Sequence, residues 1–236
     1  MQFKSDALLL RYADYKENDR MLTLLTAEGK ISASIKGVRK QGAKLSFAAQ
    51  PFCFGEYVFN QSAGRNTVIS ASVHDGFYPL TEDIRRFYAA SVVTQTCDKL
   101  AYENNESGAF LVLAVKTLEQ LCLGSGDDAS GTLVLFLLQA LAAAGYAVRA
   151  GECPVCKNTP SGIVRFDLSN GVFTCLHCSQ GVRASEITYK TVSSALRGTR
   201  LCDREGTLRT LRLLGVYFEA CADGALSTLN EFLKLL

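Results

Sequence analysis

The stretch Cys153-Pro154-Val155-Cys156, followed after eighteen residues by Cys175-Leu176-His177-Cys178, decides how this chain is read. Each C-x-x-C sets two thiols on one tight knuckle, and two knuckles at this spacing supply the four corners of a tetrahedral zinc site. Between them, Gly162 to Phe166 and Gly171 to Thr174 read as two short strands turned by Asp167 to Asn170, so the segment is expected to be a zinc ribbon. A dithiol redox motif needs one C-x-x-C at a helix start, and two matched pairs argue against it. His177 could replace one cysteine, but four thiols already close the shell. A closed shell leaves no position for water, so one structural Zn2+ is expected. The module spans 31 residues, 151–181, with almost no apolar core, and is expected to need the metal to fold.

On both sides of this module the chain is helical. Towards the C-terminus, Ser185 can cap a helix through Leu196, and Thr207 to Ala222 and Ala225 to Leu236 follow, broken at Asp223-Gly224. On the other side, Thr132 to Ala144 is apolar nearly all round and stopped by Gly145, which marks the buried centre of a bundle. Gly108 to Leu123 precedes it, ending before the loop Gly124-Ser125-Gly126-Asp127-Asp128. Earlier still, Thr81 offers an N-cap with Glu82 and Asp83 in the first turn, and Ile84, Tyr88, Val92, Thr96 and Leu100 recur every four residues. The expectation is one helical domain, residues 80–150 and 182–236, split by the ribbon at 151–181.

Residues 1–79 have a different period. Ile31 to Lys36 alternates, with Ile31, Ala33 and Ile35 on one face and Ser32, Ser34 and Lys36 on the other. Ala7 to Tyr12, Met21 to Thr26, Phe52 to Phe59 and Thr67 to Val73 are further strands, with turns at Ala27-Glu28-Gly29-Lys30 and Gln61 to Asn66. Five short strands with no helix of clear period suggest a small barrel. From Lys30 to Lys44 there are five basic residues (Lys30, Lys36, Arg39, Lys40, Lys44) and no acidic one. A solvated loop is the plain explanation. The functional one is a phosphate clamp at the mouth of the barrel, with Phe47, Phe52, Phe54 and Tyr57 as stacking platforms, although most of these should be core.

Composition narrows the classes. Among 236 residues, 25 Lys and Arg face 23 Asp and Glu, a net +2 that names no partner by itself. Its distribution is polarised, +3 over residues 1–80 and −3 over 81–150. No secretory signal is visible, and the most apolar run, Leu133 to Ala144 with Gln139 inside it, is too short for a bilayer, which needs about 20 residues. Five further cysteines (Cys53, Cys97, Cys122, Cys202, Cys221) lie in apolar segments and read as buried thiols in a reducing compartment. The chain is therefore expected to be soluble and intracellular. An enzyme finds little support: there are only two histidines, His74 sits at a strand end, and no phosphate-binding loop, dinucleotide turn or nucleophile elbow occurs.

The order of small barrel, helical bundle and inserted four-cysteine ribbon resembles the RecO family of bacterial DNA repair proteins. Local sequence strengthens the likeness. Ala7 to Arg11 and Tyr15-Lys16-Glu17-Asn18-Asp19-Arg20 through Thr26 resemble the family's opening. Glu28 to Ala33 and Lys36-Gly37-Val38-Arg39-Lys40 resemble its third strand and basic loop, and Gln50-Pro51-Phe52 the entry to its fourth strand. Leu211 to Leu214 and Ser227 to Leu233 resemble its last two helices. The resemblance implies an α+β multidomain protein whose barrel is an OB-fold that binds single- and double-stranded DNA, through Lys36, Arg39, Lys40, Lys44 and Arg11 in this chain. It implies a non-enzymatic mediator that anneals complementary strands and, with RecR, helps load RecA. It also implies docking of the acidic tail of single-strand-binding protein on the helical domain, and a cytoplasmic, nucleoid-associated location. Two departures stand out: Lys40-Gln41-Gly42-Ala43-Lys44 is less basic than many relatives, and some relatives lack the cysteines. The competing class is a zinc-containing protein–protein adaptor without nucleic-acid binding, which the acidic, apolar middle would favour.

Overall fold

In the computed structural model the described residues are 1–103, 105–124, 129–199, 203–222 and 224–236. They divide into two compact units, Met1–Gly126 and Asp127–Leu236. Cys202 and Asp223, both named above, lie outside the described residues, as does most of the loop at 124–128.

The first unit is built on five strands: β1 (Gln2–Tyr15), β2 (Asp19–Thr26), β3 (Gly29–Ile35), β4 (Phe54–Ser62) and β5 (Arg65–Asp75). They close a barrel in the order β1-β2-β3-β5-β4, with β3 and β5 parallel and β1 returning to β4, the OB-like arrangement. The alternation at Ile31–Ile35 does what period 2 demands: Ala33 and Ile35 join Ala7, Leu9, Leu22, Leu24, Tyr57 and Phe59 in the core. Two strand boundaries correct the sequence reading. Phe52 is not in β4, because its φ of 65° turns the chain; the strand starts at Phe54. β1 runs well past Tyr12, to Tyr15, to form a hairpin with β2.

Three helices complete this unit: α1 (Pro79–Glu82), α2 (Ile84–Leu100) and α3 (Gly108–Leu123). The cap of α2 is Asp83 rather than Thr81. Its carboxylate accepts the amide of Arg86 at 2.8 Å, while Pro79 starts a separate single turn. Asp98 on α2 fastens helix to barrel, accepting Arg11 Nε at 2.8 Å and Lys30 Nζ at 3.3 Å. Lys30 is half-buried, so losing its counter-charge is costly. Asp98→Ala is expected to lower stability by about 1–3 kcal/mol in urea unfolding, with Asp98→Asn recovering part; no measurable change would contradict the clamp.

The second unit holds α4 (Ala129–Ala143), α5 (Glu186–Leu196), α6 (Arg204–Cys221) and α7 (Ser227–Lys234), around a sheet of β6 (Ile163–Asp167), β7 (Val172–Cys175) and β8 (Val182–Ser185). α4 is the buried centre expected, with Leu133, Phe136, Leu137 and Leu141 enclosed. The hairpin read from sequence is a three-stranded sheet, order β7-β6-β8. Nor is it poor in core: Val164, Phe166, Val172 and Phe173 are buried. Phe166 meets Phe173 at 4.9 Å and Tyr217 of α6 at 5.1 Å, and Phe173 meets Tyr189 of α5 at 5.5 Å. Of the scattered cysteines, Cys53 and Cys97 are buried as expected, whereas Cys122 and Cys221 are only partly covered.

Candidate nucleic-acid interface and metal centre

The basic loop leaves β3 at Lys36. Gly37 has φ +64°, which a side chain rarely adopts, and its amide donates to Asp19 Oδ1 at 2.8 Å. Val38 is buried and pins the loop to the barrel. Arg39 then binds the tip of the β1–β2 hairpin: its amide donates to Asn18 O at 3.1 Å and its guanidinium to Glu17 O at 3.2 Å. Asp14 joins the two elements, pairing with Arg20 at 3.1 Å and Arg39 at 3.4 Å. Lys36, Lys40 and Lys44 are exposed and form no ion pair among the described residues. Their charge is free to meet a ligand, whereas Arg39 is in part a structural brace.

Arg11 stands elsewhere in the scheme. It lies on β1, with its side chain 62% exposed, but is engaged by Asp98. The four aromatic residues read as stacking platforms are not exposed. Phe52 packs on Phe87, Tyr57 is buried with its hydroxyl donating to Ala48 O at 2.8 Å, and Phe47 and Phe54 are half-covered. On β1, Tyr12 and Tyr15 are exposed. The Arg20 guanidinium lies 4.0 Å from the Tyr12 ring centre, and Lys16 Nζ lies 5.3 Å from that of Tyr15. The sequence did carry a signal for them: past Tyr12 the apolar run gives way to Tyr15-Lys16, an aromatic beside a cation.

In the second unit the four Sγ atoms of Cys153, Cys156, Cys175 and Cys178 all lie within 4.8 Å of one another, and those of Cys156 and Cys175 are 3.6 Å apart. A tetrahedron of sulfurs with metal–sulfur bonds near 2.3 Å has edges of roughly 3.8 Å, so the cluster fits a thiolate-bound ion. His177 is exposed and outside the cluster. Each knuckle is set by its backbone: Lys157 N donates to Cys153 O at 2.9 Å, and Cys178 N to Cys175 O at 3.0 Å. The thiols do not ionise alike. Burial opposes ionisation of Cys153, yet the backbone contacts around it at Cys156, Cys175 and Val155 bring it down to about 6. Desolvation, then the neighbouring Cys156 and Cys153, raise Cys175 to about 11; Cys178 rises to about 12, chiefly through its hydrogen bond with Cys156. Four thiolates this close repel, and a bound dication is what would let all four ionise.

The second knuckle is fixed to the sheet. Arg165 on β6 donates to Leu176 O at 2.9 Å and Gly181 O at 2.8 Å, spanning the turn between β7 and β8. Gly181 lies so close to the Phe166 carbonyl that any side chain there would collide. Among the described residues, no helix is long and apolar enough to cross a membrane.

Known proteins match this arrangement along nearly all of its length. Residues 1–77 match the family described as Recombination protein O N terminal, and residues 81–219 that described as Recombination protein O C terminal. The DNA repair protein RecO of Myxococcus xanthus (strain DK1622) is 32% identical over 187 residues, 78% of this chain and 75% of that one. That of Bacillus pumilus (strain SAFR-032) is 28% identical over 179 residues, 75% and 69% of the two chains. That of Anaeromyxobacter sp. (strain K) is 32% identical over 199 residues, 82% and 78%. With both halves matched in order and the barrel and cysteine cluster in place, the chain belongs to the RecO family of DNA repair proteins.

Proposed function

We propose that this protein is a non-catalytic DNA-binding mediator of recombinational repair, which anneals complementary single strands and, with RecR, helps load RecA. The reading is supported by exposed Lys36, Lys40 and Lys44 on a loop that Arg39 ties to the β1–β2 hairpin, and by exposed Tyr12 and Tyr15 on β1 of that hairpin. Cations neutralise phosphates and the rings can stack on unpaired bases. Holding two backbones at once lowers their repulsion and lets bases pair. Arg11 belongs to the same proposed set, at the cost of its tie to Asp98. The domain scheme goes with this reading: a DNA-binding barrel at 1–79, a helical domain at 80–150 and 182–236 that docks the acidic tail of single-strand-binding protein, and a ribbon at 151–181. The cysteine cluster would hold one structural Zn2+, and the protein would work in the cytoplasm at the nucleoid.

The test is fluorescence anisotropy of a labelled single-stranded oligonucleotide at low and physiological salt. Lys36→Glu with Lys40→Glu reverses two charges that support no ion pair among the described residues. It is expected to weaken binding by about tenfold or more, to reduce the salt slope by about 2, and to leave thermal stability unchanged. Wild-type binding that is absent even at low salt would instead favour the adaptor.

A further inference from the structure

The second unit carries a polar cavity that the repair reading leaves unused. Its rim is the chain that follows α4, where Gly145 turns at φ +89° and is followed by Tyr146 and Arg149. Opposite stands the β6–β7 turn with Ser169 and Asn170, and Tyr217 of α6 forms the floor. The cavity encloses about 340 Å³. Small-ligand sites run from roughly 300 to 1,000 Å³, so this one suits a single small molecule or one residue of a polymer. Ala147 is its only aliphatic side chain among the described residues, which leaves no seat for the apolar side chains of a peptide.

The walls are set before anything enters. Arg149 is tied to β7 through its backbone: its amide donates to Gly171 O at 2.8 Å, and its carbonyl accepts Phe173 N at 3.2 Å. The turn opposite is closed by Asp167, which accepts Ser169 N at 2.8 Å, Asn170 N at 3.3 Å and Asn170 Nδ2 at 2.7 Å. That carboxylate is therefore engaged within its own turn. Gly171 has φ +63°, and any side chain there would run into the Tyr217 hydroxyl. Walls already ordered cost a ligand little on entry.

The Arg149 side chain is exposed and forms no ion pair among the described residues; it gives one long hydrogen bond, to Asn170 O at 3.5 Å. Burial, then a hydrogen bond with Cys221, push the Tyr217 hydroxyl up; the Tyr146 hydroxyl adds to this and the Arg149 charge opposes it. Both rim side chains thus act on the floor of the same cavity. The Tyr146 ring is 39% exposed, and Ser169 is exposed beside it on the turn. A guanidinium with unused donors and a free aromatic ring are the groups that hold a phosphate and stack a base.

We propose that this cavity binds one nucleotide bearing a terminal phosphate, either free or at the end of a single strand. Arg149 pairs with the phosphate, the Ser169 hydroxyl donates to it, and the base lies on the Tyr146 ring.

The test follows the amide NMR signals of Gly145–Arg149 and Ser169–Gly171 in the full-length protein. Thymidine 5′-monophosphate is expected to shift them saturably, and thymidine to bind at least about tenfold more weakly, because hydrogen bonds to a charged group are the stronger ones. Arg149→Ala and, separately, Tyr146→Ala are expected to weaken the nucleotide by about the same factor. Both positions are exposed, and circular dichroism checks that the variants fold. A 5′-phosphorylated tetrathymidylate that binds here more tightly than the mononucleotide identifies a strand end as the ligand; the reverse order identifies a free nucleotide. Thymidine or inorganic phosphate binding as tightly as the nucleotide, shifts untouched by either variant, or a dissociation constant above about 1 mM would each overturn the proposal. Single-strand binding by the barrel, read by anisotropy with an oligonucleotide lacking a terminal phosphate, is expected to be unchanged in Arg149→Ala, so failure here leaves that reading standing.

Discussion

Replacing Cys153 and Cys156 together by Ser is expected to reduce bound zinc from about one equivalent to none after dialysis, read by elemental analysis, and to lower the thermal midpoint. Zinc-finger peptides owe their whole fold to the metal, worth roughly 10–16 kcal/mol. Here the loss should be smaller, on the order of 3–5 kcal/mol, or about 6–20 °C for a chain of this size. The reason is that β6 and β7 are also held by Phe166, Phe173, Tyr189 and Tyr217, so the knuckles loosen while the sheet keeps its packing. Because the ligands must be thiolates, zinc should also leave wild type as pH falls, protons displacing the ion. Retention of a full equivalent by the double variant would disprove the ligand set.

Phe166→Ala tests the other support of the same sheet. The ring is fully buried between Phe173 and Tyr217, and truncating it leaves a cavity in a packed layer. The expected cost is about 3–5 kcal/mol by denaturant titration, whereas Phe166→Leu should cost roughly 1.5 kcal/mol. Hydrogen exchange should show the amides of Val164–Asp167 and Val172–Cys175 losing protection first. A loss below about 1 kcal/mol for Phe166→Ala would mean that the metal alone holds the ribbon.

These two supports were unequally legible. Cysteine spacing is a local pattern and announces the four-thiol cluster outright. The aromatic support depends on Tyr189 and Tyr217, which lie on later helices, and no local pattern ties them to Phe166. The same contrast runs through the fold. Alternation at Ile31–Ile35 and the apolar period of Gly108–Leu123 are internal to their segments and placed β3 and α3 well. Val182–Ser185 is four residues long with an Arg at its second position, and becomes a strand only because β6 is beside it. Asp83 displaced Thr81 as the cap because Pro79 nucleates its own turn first. At the barrel face, the loop cations could be read from charge alone. Tyr12 and Tyr15 left only the weaker signal of a ring beside a cation at Tyr15-Lys16, because their exposure follows from a hairpin longer than its apolar run.

The bracing of the basic loop has a thermodynamic consequence. Gly37 and Arg39 are already bonded to Asp19, Glu17 and Asn18 in the free protein, so segment 37–39 is ordered before anything binds. Ordering a residue's backbone costs about 1–2 kcal/mol in lost conformational entropy, and a polyanion arriving here would not have to supply it. Calorimetry should therefore record association dominated by counterion release, with a small heat-capacity change and no signature of coupled folding.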